Sequence, residues 1–512
     1  MCYFQVRAAA SREIRMDFDR QSGLFLHVAS LPGPDGIGTL GEPAETFVDF
    51  LAESGQSLWQ FCPLGPTIPI HDNSPYQSYS AFAGNPLFVD LDRLVERGWL
   101  DELDRPDFDD GHVEYGPVRE YKEARLTEAF ETFKADASDD EQSNFETFVE
   151  ESGEWLDEYA LYRALRDHYD GVSWLDWPEE AKMRDPDALA EYREELADSI
   201  EYRKFLQWVF DTQWNDLKEY ANERGVKFVG DMPIYVDLDS ADVWANPEIF
   251  KLDAEREPKY VSGVPPDEFS DDGQMWGTPV YDWDALDERD YGWWVKRFER
   301  LLQRVDIFRI DHFKGFESYW EIPADAETAR EGEWVEGPHE DVFYAIRDEL
   351  GDLPIVVEDL GEITPKMEEI RDTLGYPGMV VAAFADWCDG DSRYHPANYD
   401  ANSVAYTSTH DTDTVVGWYD ALDEQDRECL HYAVDHEGGD VHWDILDTVW
   451  NSDSVIALAQ VQDPLGYGSE ARFNVPGTVE GNWAWRVSED ALSGDVVQNL
   501  YDITEESDRL AE

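Results

Sequence analysis

The stretch Val305–Lys314 reads V-D-I-F-R-I-D-H-F-K, a short run at Ile307–Ile310 that stops on the carboxylate of Asp311. A strand buried in a parallel sheet reads as a near-continuous run of Val, Ile, Phe and Ala rather than an alternation. Two other stretches end in the same way. Leu353–Gly361 (L-P-I-V-V-E-D-L-G) carries Ile355–Val357 into Glu358, and Ser403–Thr414 (S-V-A-Y-T-S-T-H-D-T-D-T) carries Val404–Thr407 towards Asp411. An acid placed where such a strand stops lies at the C-terminal mouth of an α/β barrel, where substrates bind. Asp311, Glu358 and Asp411 are therefore expected to converge on one site.

Outward from these three, eight strand-like runs can be picked out: Ser22–Ser30, Ser57–Leu64, Val226–Val236, Ile307–His312, Pro354–Asp359, Met379–Phe384, Ser403–His410 and Ser454–Gln462. Helical patterns separate several of them. Trp294, Phe298, Leu301, Leu302 and Val305 fall on one apolar face leading into the Ile307 strand. Alternation of strand and helix implies right-handed parallel crossovers, and eight strands predict a closed (β/α)8 barrel of the α/β class. The expected organisation is one catalytic barrel domain over residues 18–512. It carries a mainly helical insertion at 90–225 and an inserted loop segment at 240–290, rich in Pro, Gly and Trp, over the barrel mouth. Helices are expected near Arg119–Phe133, Asp157–His168 and Glu201–Asn222, with a closing helix through Leu492, Val496, Val497 and Leu500. The short tail leaves no room for a C-terminal β-sandwich. Residues 1–17 read as a disordered extension, unless translation begins at Met16.

The chain has 512 residues and a net charge of −75, from 115 acidic against 40 basic residues. Phosphate binding needs a positive surface, so nucleic acid is excluded as a partner. The acids are spread along the chain, and their self-repulsion would strain the fold at low salt. We read this as the chemistry of a halophilic protein in a salt-loaded cytoplasm. Cys2, Cys62, Cys388 and Cys429 show no C-x-x-C spacing, which predicts free thiols in a reducing compartment. No run of 18 apolar residues spans a membrane, and the opening residues lack the apolar core of a signal peptide. Aromatic residues make up 14% of the chain, which suits a groove that stacks on sugar rings.

Two carboxyl groups flanking a glycosidic bond suffice for hydrolysis or transfer; about 5–5.5 Å apart, they act with retention through a covalent intermediate. Arg309 precedes Asp311 by two residues, so both side chains project from one face of the strand. A guanidinium there keeps Asp311 ionised, as a nucleophile requires. Glu358, after Ile355-Val356-Val357, is suited to hold a proton as the acid. Asp411 is then the third carboxylate, gripping sugar hydroxyls, and His312 and His410 can donate to the same sugar. A rival reading takes His312, Glu358, Asp359, His410 and Asp411 as ligands of a divalent ion in a sugar isomerase, without H-x-H or H-x-x-x-H spacing to support it. An inert barrel that only binds glucan is a third reading, and an α-amylase-like hydrolase with the same acids a fourth.

Longer motifs go further. They include G-L-F-L-H-V-A-S-L-P (Gly23–Pro32), S-P-Y-Q-S-Y-S-A-F-A-G-N-P (Ser74–Pro86) and G-D-M-P-I-Y-V (Gly230–Val236). G-V-P-P-D-E-F-S (Gly263–Ser270), G-Q-M-W-G-T-P-V-Y (Gly273–Tyr281) and R-I-D-H-F-K-G-F (Arg309–Phe316) follow. The set ends with V-E-D-L-G (Val357–Gly361), S-T-H-D-T-D-T (Ser408–Thr414) and S-E-A-R-F-N-V-P-G (Ser469–Gly477). Together they resemble the 4-α-glucanotransferases, the amylomaltases or disproportionating enzymes of glycoside hydrolase family 77. The resemblance implies a retaining transferase of α-1,4-glucan segments, acting on maltooligosaccharides as a monomer or small homo-oligomer and needing no organic cofactor and no metal. By motif it places the nucleophile at Asp311, the acid/base at Glu358 and the transition-state stabiliser at Asp411. Substrate contacts fall to Ser74, Tyr76, Asp231, Phe269, Trp276, Arg309, His312, His410 and Asn474. Glu268 stands where family members commonly place an aromatic residue, Thr278 replaces a commoner Asn and Lys314 a commoner Arg. Trp276 and Trp283 can either line the groove or pack the segment onto the barrel.

Overall fold

The eight expected runs all form strands, short and buried on both faces: β1 (Gln21–Phe25), β2 (Leu58–Phe61), β3 (Lys227–Met232), β4 (Ile307–Ile310), β5 (Ile355–Val357), β6 (Gly378–Val381), β7 (Ser403–Tyr406) and β8 (Ile456–Gln460). This computed structural model describes residues 18–511, apart from 267–269, 437, 479 and 493. Neighbouring strands run parallel in the order β6-β7-β8-β1-β2-β3-β4-β5. The Val357 N–H donates to the Pro377 carbonyl at 3.0 Å, bringing β5 to β6 and nearly closing the ring. The architecture is the predicted (β/α)8 barrel. Its interior is filled by Leu58, Val229, Ile307, Val356, Met379, Val404, Tyr406, Ile456 and Leu458. Alternate residues such as Trp59, Phe228 and Phe308 point outward into the helical layer, as the two-residue period of a strand requires. Gly23 makes the β1–β2 contact possible, since a Cβ there would sit 2.2 Å from the Leu58 carbonyl oxygen.

Between β2 and β3 the chain forms the helices Tyr115–Asp136, Asp139–Glu151, Gly153–His168, Pro186–Glu195 and Ala197–Glu223. The last of these has two partners. Its first half sets Phe205 and Trp208 against Trp99 and Phe133. Its second half lays Trp214 on Phe61 and Phe228 of the barrel, with centroids 5.3 and 5.1 Å apart. One helix is thus both the β2–β3 crossover and the base of the helical layer.

Three sequence expectations need correction. The helix before β4, Gly292–Arg304, buries Trp294 and Phe298 as expected, but Leu302 is exposed and Arg297, Arg300 and Arg304 are buried in its place. They are held there because Arg300 and Arg304 both reach Asp211, on Ala197–Glu223, and Arg297 donates to the Ile234 and Pro233 carbonyls. Second, much of the segment read as loop is sheet. Tyr260–Val264 and Gln274–Pro279 join Ser318–Pro323 and Glu333–Glu336 in a four-stranded antiparallel sheet. Third, Cys388 and Cys429, read as free thiols, form a disulfide across 41 residues. Cys62 is free and buried. Among the described residues no helix is long and apolar enough to cross a membrane. The terminal helix, Asp495–Glu506, buries Leu500, and Arg509 beyond it ties the tail to the barrel floor through the carbonyls of Gln21, Trp450, Ser452 and Ser454.

Candidate active site

At the C-terminal ends of the strands Asp231, Asp311 and Asp411 are linked by one network of hydrogen bonds and close contacts, with Glu358 beside it. Arg309 on β4 is its centre. Its Nη1 donates to both oxygens of Asp231 at the end of β3, at 2.7 and 2.6 Å, and to Asp311 Oδ1 at 3.0 Å. Burial opposes the guanidinium charge, but Asp231 and Asp311 outweigh it and hold Arg309 protonated. The Tyr76 hydroxyl donates to Asp231 Oδ2 at 2.8 Å and lies 2.7 Å from His410 Nε2. With that hydroxyl proton committed to Asp231, Nε2 must carry a hydrogen and donate to Tyr76. His410 Nε2 is also 3.3 Å from Asp411 Oδ2, and Asp411 Oδ1 accepts from Asn474 Nδ2 at 2.6 Å.

Glu358 enters from β5. Its Oε2 accepts the His312 backbone N–H at 2.9 Å and its Oε1 that of Leu360 at 2.8 Å. His312 adopts a left-handed backbone, with φ of 51°, just beyond the end of β4. Burial first, then the nearby Asp311 charge, pushes the Glu358 carboxyl up to about 8 against the pull of Arg309. Burial also draws the His312 imidazole down to about 4, so the ring is neutral at neutral pH. The site therefore pairs an aspartate in contact with a guanidinium, able to attack as an anion, with a glutamate that keeps its proton. Among the described residues, no three His, Cys, Asp or Glu side chains are placed to hold a metal ion.

The remaining predicted residues are placed as follows. Ser74 shapes the turn rather than touching the acids, since its Oγ accepts the Tyr76 N–H at 3.3 Å. Trp276, on the small sheet, stands edge-on to His312 with centroids 4.9 Å apart, which brings that sheet over the barrel mouth. Trp283 is buried against Tyr281 and Trp294, so it packs the segment and does not line the groove. Phe269 and Glu268 lie outside the described residues.

Sequence reasoning passed over several residues. Arg472, two before Asn474 in a motif already quoted, donates to the Asp411 carbonyl at 3.0 Å and to the Asn474 carbonyl at 2.8 Å. Phe25 and Trp483 pack around His410, with centroids 5.2 and 6.3 Å from its ring. Asp463, just beyond β8, accepts from Thr407, Ser408 and Val415 and so fixes the loop that carries His410 and Asp411.

The family model described as 4-alpha-glucanotransferase matches residues 26–492. The chain belongs to this family. A 4-alpha-glucanotransferase of Streptococcus pneumoniae is 45% identical over 494 residues, covering 95% of this chain and 96% of that one. The Thermus thermophilus 4-alpha-glucanotransferase is 44% identical over 504 residues, covering 97% of this chain and 100% of its own. Among solved structures, the amylomaltase from Streptococcus agalactiae in complex with acarbose superposes with a TM-score of 0.93 at 37% identity, covering 96% of this chain and 100% of that one. With 96% of this chain covered, the likeness is not confined to the motifs around the acids.

Proposed function

We propose that this 4-alpha-glucanotransferase family member moves segments of α-1,4-glucan between maltooligosaccharides by a retaining double displacement. Asp311 Oδ attacks the anomeric carbon as the bond to the leaving glucan breaks, and Glu358 gives its proton to the departing oxygen. The 4-hydroxyl of an acceptor then attacks the same carbon, Glu358 takes back the proton, and Asp311 is released. Asp411, held by Asn474 and His410, grips the sugar hydroxyls. Asp231, Arg309, Tyr76, His312, His410 and Trp276 line the bound ring. Ser74 sets the Tyr76 turn, and Phe269 follows from the family motif. The observation that carries the reading is the single network joining Asp311, Asp231 and Asp411 through Arg309, Tyr76 and His410, with a protonated Glu358 beside it. The charge of the chain supports action in a salt-rich cytoplasm, and the enzyme acts there as a monomer or small homo-oligomer.

Incubation with maltotriose in concentrated potassium chloride tests this. Transfer yields glucose and longer chains at a constant number of reducing ends, and Asp311→Asn abolishes both. A rising reducing-end count identifies a hydrolase instead. Turnover that survives in Asp311→Asn removes the nucleophile from the scheme.

A further inference from the structure

The disulfide joins two elements that no spacing in the sequence connects. Cys388 lies in the loop after β6, and Cys429 on the helix Glu424–Ala433 after β7. The Cys388 residue is exposed and Cys429 half-buried, so the bond is open to solvent, unlike the buried Cys62 thiol. The loop it tethers runs on to Arg393. That guanidinium reaches Asp359 Oδ2 at 3.6 Å and Glu368 Oε1 at 3.1 Å. Asp359 is the residue after Glu358, is fully buried, and is otherwise met by Arg371 at 2.6 Å and by the Met379 N–H at 2.7 Å. A chain of contacts therefore runs from the disulfide through the loop and Arg393 to the neighbour of the proposed acid.

We propose that the Cys388–Cys429 disulfide is a redox-responsive positioning device that holds Arg393 against Asp359 and so tunes Glu358. An exposed disulfide is the kind that thiols reduce, and in a reducing cytoplasm such bonds are typically redox-sensing rather than static. The thiolate of a small thiol attacks Cys388 Sγ, the exposed sulfur, and Cys429 leaves as a thiolate. A second thiol resolves the mixed disulfide and is itself oxidised, leaving two protein thiols. The freed loop then lets Arg393 withdraw. Glu358 is faced by Asp311, Arg309, the neighbouring Asp359 and the Tyr394 phenol, and Asp359 in turn by Arg371 and Arg393. With one of its two cations gone, Asp359 presses its negative charge more strongly on Glu358, and the proton on Glu358 is held to higher pH.

This rests on Glu358 as the acid of the proposed reaction, and loss of turnover in Glu358→Gln tests that premise separately. The test of the switch is the pH profile of maltotriose transfer, in potassium chloride and well below the melting temperature, for oxidised enzyme, enzyme reduced by dithiothreitol, Cys388→Ser/Cys429→Ser and Arg393→Gln. Reduction and the double serine variant should each move the alkaline limb upward, so that activity above pH 8 is at least threefold that of the oxidised enzyme. Arg393→Gln should move the limb as far by itself, and reduction should then add nothing. A profile unchanged by reduction overturns the proposal, as does an equal further shift on reducing Arg393→Gln. A loss of kcat with the limb unmoved also overturns it, since that is what a purely structural tether would give.

Discussion

Glu358 receives two backbone N–H groups, an arrangement that by itself favours the carboxylate, and yet it holds its proton to about 8. Burial and Asp311 win because the nearest guanidinium spends its short contacts on Asp231 and Asp311 rather than on Glu358. The first step needs the acid protonated. Transfer should therefore be supported by Glu358 at neutral pH and fall about tenfold per unit once pH passes about 8. A kcat/KM profile on maltotriose checks this, and Glu358→Gln should remove nearly all activity. A flat profile to pH 10 would mean that Glu358 is not the proton donor. Stability follows the same proton with a definite sign. The folded carboxyl binds it above its ordinary value of 4.5, so the folded state holds more protons than the unfolded one between 4.5 and about 8. Within that window this residue makes the fold less stable as pH rises.

The loop after β7 shows how an element is held. Asp463 beyond β8 accepts the hydroxyls of Thr407 and Ser408 at 2.6 Å each and the Val415 N–H at 2.8 Å, in full burial. Asp463→Ala leaves three buried donors without an acceptor and should cost about 2–4 kcal/mol, read from urea unfolding in potassium chloride. It should also lower kcat more than tenfold by releasing His410 and Asp411. A stability within about 0.5 kcal/mol of the parent would show that the loop is held by other contacts. This residue was open to the same rule that found Asp311, since V-Q-D closes the eighth strand much as R-I-D closes the fourth. The barrel strands were legible because burial on both faces leaves an apolar run with an abrupt end. The small sheet was not, because its strands are only partly buried, contain Gly263 and Gly277, and come from both sides of β4 in sequence. The buried Arg300 and Arg304 escaped for a related reason: their partner Asp211 is about 90 residues away, and periodicity reports only a helix's own face. The Cys388–Cys429 pairing likewise depends on the loop after β6 meeting the helix Glu424–Ala433 after β7, a contact that no spacing in the sequence reports.

At the scale of the whole molecule, the fold spends part of its scarce positive charge inside. Lys122, Arg297, Arg300, Arg304, Arg309, Arg486 and Arg509 are all buried, while the great majority of the 115 acids remain at the surface. The buried bases are matched by a similar number of buried acids, so nearly all of the net charge of −75 lies at the surface. Internal pairs such as Lys122–Asp35 and Arg300–Asp211 lie out of reach of ions and keep their strength in salt. Exposed pairs such as Lys296–Glu154 and Arg330–Asp272 contribute little in any medium. Added salt thus weakens mainly the repulsion among surface acids. The Debye length falls from about 10 Å at 0.1 M to about 3 Å at 1 M. The melting temperature should then climb steeply between 0.1 and 1 M potassium chloride, by about 10 °C or more, and flatten beyond that as the remaining repulsion vanishes. Thermal scans at fixed pH across the series check this. A melting temperature that is highest in dilute buffer would show that the charge is carried without strain, and the salt-adapted reading would fall. A rise that continues linearly to 4 M would assign the effect to exclusion of salt from the protein surface, because screening is nearly complete by 1 M.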